Sequence, residues 1–203
     1  MRGSPLNKCV LLGLFLLVSA GVLTAQTQQT YLLTYYAHNA GPGSPVDQVV
    51  RLVNVATGGT PMTSPIGDIC TNIYVFDSSQ EMIACCSCRL TPNQLASASV
   101  AEQLTNNPLT SVVPAAGVVK ILPVVAGSTA CSPIAPFATS DASLVKGYAT
   151  RVQVSGPATY ITETNLPATI LGSDEAAFLN NACLFVQYLG SSKGTCGCSS
   201  PGR

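Results

Sequence analysis

The chain has no tryptophan, a single histidine and very little charge: Asp, Glu, Lys and Arg together make up 9% of its 203 residues. Without tryptophan, a strong aromatic platform for stacking sugars is missing, although seven tyrosines remain. So weak a field cannot neutralise a phosphate backbone, which argues against nucleic acid as a partner. No basic run is present to hold anionic lipid, and there is no internal repeat or low-complexity tract. The one histidine, His38 in "YYAHNAGPG", would have to serve any Ser-His-Asp or Cys-His design. It sits where a strand meets a turn, with no G-x-S-x-G in the chain, and reads as a surface residue. "GPGS" at 41–44 lacks the strand, glycine loop and helix of a phosphate cradle.

What is present begins at the N-terminus, "MRGSPLNKCVLLGLFLLVSAGVLTAQ". Arg2 and Lys8 precede an apolar run from Val10 to Val18, broken only by Gly13, and small residues follow to Ala25. This is the layout of a secretory signal peptide, removed after Ala25 or alternatively after Ala20. The apolar core is short for a membrane span, and Cys9 lies ahead of it, where no lipoprotein cut would use it. Cleavage after Ala25 leaves residues 26–203 as one domain with eight of the nine cysteines, seven basic and nine acidic residues. The expected product has no membrane span and works in the periplasm, at the cell surface or outside the cell, with an envelope or extracellular partner.

Short β-branched and aromatic segments separated by Gly, Pro, Ser, Thr and Asn dominate to about residue 170, and they read as strands. "NIYVFD" and "EMIACC" form the arms of a hairpin joined through "SSQ". In "GVVKILPVV", Pro123 predicts an edge strand, because proline donates nothing to a ladder. "KGYATRVQVS" alternates Tyr148, Thr150, Val152 and Val154 against Arg151 and Gln153, which predicts one wet face. "TPNQLASASVAEQLTNN" reads as short helical turns. One segment reads firmly as a helix, about 173–190, with Ser173 as N-cap and Asp174 and Glu175 in the positive first turn. Leu179, Cys183 and Val186 share its buried stripe. The fold class is therefore mainly β: an antiparallel sandwich with one C-terminal helix.

The mature cysteines are Cys70, Cys85, Cys86, Cys88, Cys131, Cys183, Cys196 and Cys198. An even count in an exported chain favours disulfides. On a strand, Cys85 and Cys86 point to opposite faces while Cys86 and Cys88 share one. The tail "TCGC" is the complementary cluster, so at least one bridge is expected from Cys85, Cys86 or Cys88 to Cys196 or Cys198. A metal or redox reading remains beside this, with Zn or Cu held by Cys85, Cys86, Cys88, Cys196 and Cys198, because soft thiolates suit copper(I). Its spacings, C-C-x-C and C-x-C, are not the paired knuckles of a zinc site.

Asp68, Asp77 and Glu81 are the carboxylates available for a hydrolase, which would need two of them converging in one cleft. Turn chemistry explains Asp77 and Glu81 without catalysis. "IYVFDSSQEMIACCSCRLTPNQLASASVAEQLTNNPLT" and "FLNNACLFVQYLGSSKGTCGC" together span roughly a third of the chain. They resemble a family of uncharacterised secreted bacterial cysteine-rich proteins, with a YVFD…CCxC…TPN core, an N-x-C-x-F helix and a G-x-C-x-C tail. That resemblance implies export and cysteine pairing and carries no activity. The readings in order are an exported, non-catalytic structural or binding module, a metal or redox protein, and a carboxylate-dependent hydrolase.

Overall fold

The computed structural model describes residues 28–37, 48–55, 67–126, 130–134, 140–188 and 192–197. The signal-like segment, His38, the "GPGS" stretch and Cys198 lie outside the described residues, as do helix positions 189–190. Nine strands and a helix follow in chain order: β1 (Thr30–Ala37), β2 (Val49–Asn54), β3 (Ile69–Asp77), β4 (Met82–Leu90), β5 (Leu95–Ser99), β6 (Ala116–Val125), β7 (Val145–Ser155), β8 (Ala158–Asn165), β9 (Ala168–Ile170) and α1 (Ser173–Tyr188). They build two antiparallel sheets, ordered β4-β3-β6-β1-β9 and β5-β2-β7-β8. The chain is thus mainly β, a sandwich with one C-terminal helix.

Alternation within the strands creates two cores. Leu32, Tyr36, Ile73, Val75, Val119 and Ile121 of the first sheet face Val50, Leu52, Ala98 and Ala149 of the second. The opposite face of the first sheet carries Tyr31, Tyr74, Phe76 and Leu122, which pack with Leu179, Cys183 and Val186 of α1. β3 is consequently buried on both sides along almost its whole length. A bulge opposite Val75 and Phe76 shifts the β4 register. It allows Ile83 and Ala84 both to enter the inter-sheet core while Met82 joins the helix side.

Several expectations need correction. β6 is central, flanked by β3 and β1, despite Pro123. The β1 ladder ends at the Leu32–Ile121 pair, and Pro123 lies beyond it, where its carbonyl accepts from Asp141 N–H (3.0 Å). A residue's N–H and C=O share one side of a strand, so the missing donor faces a place where no strand needs it. In β7 the period is right but the faces are reversed. Val145, Gly147 and Ala149 are buried, because Leu32 and Leu166 already fill the space above Gly147. Thr150 lies on the wet face with Arg51 and Glu163. Ser173 is not the cap of α1: Ala176 N–H bonds to the Gly172 carbonyl (3.0 Å), which places the cap at Gly172. "LASAS" is strand β5 rather than helical turns. A single wide turn, Val100–Leu104, follows it, where Ser99 Oγ accepts from Glu102 N–H and Gln103 Oε1 accepts from Ser99 N–H.

Two buried phenols brace the first sheet and the loop packed against it. Tyr36 donates to the Phe76 carbonyl (2.9 Å) across Gly117, where a side chain would collide with that same oxygen. Tyr74 donates to the Pro133 carbonyl (2.7 Å). Burial pushes both phenols above their ordinary value. Asp77 adds to the rise at Tyr36, and Asn72 partly opposes it at Tyr74. Their contribution to stability is whole below the unfolded phenol value of about 10 and is lost as pH climbs above it. We expect stability to fall above that pH, with Tyr36 and Tyr74 ionising only as the protein unfolds. Phenolate absorbance followed alongside circular dichroism tests this, and titration of every tyrosine in the folded state would contradict it.

Candidate functional site

The cysteines assemble as pairs. Cys85 bonds Cys183 of α1, Cys86 bonds Cys196 of the tail, and Cys70 bonds Cys131. Their Cα separations of 5.8, 5.2 and 5.4 Å suit disulfide geometry. Cys85 lies in the helix-side core and Cys86 and Cys88 in the inter-sheet core, as strand alternation requires. Cys88 is also disulfide-bonded. The tail does not cross β4 but runs along its edge: Cys85 N–H donates to the Gly194 carbonyl (2.9 Å), and Thr195 forms a parallel bridge with Cys85. Asn107 holds the same tail through the Ser192 carbonyl (2.7 Å). Three disulfides point to an oxidising, extracellular-type environment.

Of the sulfurs named for a metal, the described ones, Cys85, Cys86, Cys88 and Cys196, are divided between two cores and held in disulfides. Among the described residues no three His, Cys, Asp or Glu side chains gather into a metal-holding group. No described helix is long and apolar enough to cross a membrane.

Of the carboxylates, Asp68 stands apart, whereas Asp77 and Glu81 are neighbours across the hairpin turn, where Asp77 N–H donates to the Glu81 carbonyl (3.0 Å). Asp68 precedes β3 and pairs with Arg89 (2.7 Å), while Asp77 ends β3, nine residues on and roughly 30 Å away. Asp77 Oδ1 accepts from the backbone N–H groups of Ser79 and Glu81 (2.8 and 2.9 Å), which is the turn role expected of it. Glu81 borders a shallow depression of about 390 Å³ between the hairpin and α1, with Phe178 and Phe185. Asp77 borders a different one of about 240 Å³. Glu175 is committed to Lys120, whose ammonium also lies over the Phe76 ring (5.1 Å).

Sequence reasoning missed a groove of about 750 Å³ on the outer face of the first sheet. Tyr31, Leu33 and Tyr35 of β1 and Val118 and Lys120 of β6 line it, and Arg151 of β7 closes one side. The alternation of β1 held the signal, since its odd positions are all aromatic or aliphatic. Nothing in it announced that α1 would leave them open. Arg151 rounds the edge of β1: it donates to Thr164 Oγ1 (2.7 Å) and Thr34 Oγ1 (3.1 Å), and its guanidinium carbon lies 4.0 Å from the centre of the Tyr35 ring. Such a contact is electrostatic attraction to the ring face.

Two outcomes follow from the pairing. Removing the bridge that encloses 98 residues with a Cys85→Ser/Cys183→Ser double variant should cost about 2–5 kcal/mol. Urea denaturation measures it, and an unchanged midpoint would remove the staple role. A peptide map of the non-reduced protein is expected to link Cys88 to Cys198, the mature cysteine still without an assigned partner. Recovery of Cys88 in another linkage overturns that assignment.

Comparison with protein-family models, curated proteins and solved structures finds no match.

Proposed function

We propose that this is an exported, disulfide-stapled, non-catalytic module that acts in the cell envelope or outside the cell by binding. One observation carries the reading. Asp68, Asp77, Glu175 and the described cysteines serve the frame, whereas an aromatic-lined groove stays open. Asp68 is held by Arg89, Asp77 by its turn, Glu175 by Lys120, and the described cysteines by disulfides. A preformed, largely apolar concavity with a few placed polar groups is the usual form of a ligand site. The signal-like segment ending at Ala25 supplies the route of export, and the disulfides match its destination. The resemblance to secreted bacterial cysteine-rich proteins agrees with the location and adds no activity.

Expression of the full chain in a host with an oxidising envelope tests the location. The protein is expected outside the cytoplasm, beginning at Gln26 and unreactive toward thiol reagents until reduced. Cytoplasmic retention with free thiols in the folded protein would sink the reading and reopen the thiolate alternative.

A further inference from the structure

We propose that the groove beside Arg151 takes a small apolar monocarboxylate, with its carboxylate on the Arg151 guanidinium and its apolar body along Tyr31, Leu33, Tyr35 and Val118. This rests on the reading of the chain as a binding module and adds the chemical class of the ligand.

Charge favours an anion in this groove. Among the described residues, ion pairs engage Arg51, Arg89 and Lys120, each with its own carboxylate. None reaches Arg151, whose hydrogen-bond partners are two threonine hydroxyls. Its Nε is buried with no acceptor. A half-buried cation without a counter-ion is costly to keep, and an unsatisfied buried donor adds to that cost. Lys120, the other cation on the groove wall, is already neutralised by Glu175. An anion entering the groove therefore has one open cationic partner, set at one side of an apolar surface.

The walls of the groove restrict the shape of what can lie there. An extended peptide would need ladder partners on the free edge of β1. Those positions are occupied: Leu33 N–H donates to the Pro167 carbonyl (3.2 Å), and the Tyr35 carbonyl accepts from Gln48 Nε2 (2.8 Å). What remains is a strip of aromatic and aliphatic side chains, which favours an aliphatic or aryl body over a peptide backbone. A groove of about 750 Å³ accommodates such a body with ease.

Octanoate and octanamide, equal in length and differing in charge, are the probes. Titrated into the isotopically labelled full mature protein, octanoate should shift the amides of Tyr31–Tyr35, Val118–Lys120 and Thr164–Asn165. It should bind at least ~10-fold more tightly than octanamide, the value of a charge-assisted hydrogen bond. Arg151→Gln should reduce octanoate to the level of the amide, and Arg151→Lys should retain part of the difference. The comparison of the two probes on the unaltered protein stands even where a variant folds poorly. Equal affinity for both probes in this groove overturns the carboxylate assignment and leaves the binding-module reading in place. Shifts confined to the depression beside Phe178 and Phe185, or no shift with either probe, overturn the assignment of this groove. The location test above judges the broader reading separately.

Discussion

Two adjacent sulfurs on β4 determine how the layers of this protein are joined. Because a strand sends successive side chains to opposite faces, Cys85 and Cys86 cannot serve one site; each is assigned to a different core. Cys85 fastens α1 over the outer face of the first sheet, and Cys86 fastens the tail on the inter-sheet side. The partners lie 98 and 110 residues along the chain, so each closure removes much of the freedom of the unfolded chain. The bulge at Ile83 and Ala84 completes the arrangement. It restores Met82 to the helix side, giving α1 an apolar floor on either side of its covalent anchor.

The same tail addresses the usual weakness of an edge strand. β4 ends the first sheet, and an open edge invites pairing with other chains. Gly194 and Thr195 occupy that edge at Cys85, held by Asn107 from the loop before β6. At the other end of the sheet, β9 is only three residues long. In this way a chain with little charge can protect its edges without the lysines that natural sheets often use.

Most strands, the hairpin, the buried stripe of α1 and the opposite facing of Cys85 and Cys86 were legible in the sequence, because each depends on local periodicity; the short β5 and β9 were not. What failed depends on partners distant in the chain. Pro123 could be central only because the neighbouring ladder stops short of it, which requires knowing where β1 ends. The dry face of β7 went to Gly147 and Ala149 rather than to Tyr148 and Val152, because Leu32 and Leu166 had already filled the inter-sheet space. Asp68 read as a possible acid or base until Arg89, on the neighbouring strand, became its partner. Arg151 read as the wet side of β7, since nothing local revealed the Tyr35 ring or the two hydroxyls that receive it.

The groove itself follows from the staple. The first sheet runs β4-β3-β6-β1-β9, and the Cys85–Cys183 bond holds α1 at the β4 end. The helix reaches β6 through Glu175 and Lys120 but does not extend over the outer side chains of β1 beyond Tyr31. On the far side, the chain leaves β8 and passes through Leu166 and Pro167 into β9, changing sheets beside β1. That crossing raises one wall, and Val118 and Lys120 of β6 raise the other. Tyr31, Leu33 and Tyr35 are left between them as an apolar floor with Arg151 at its margin. A helix anchored at one edge strand cannot cover a five-stranded face, and the uncovered part is where the open cation lies.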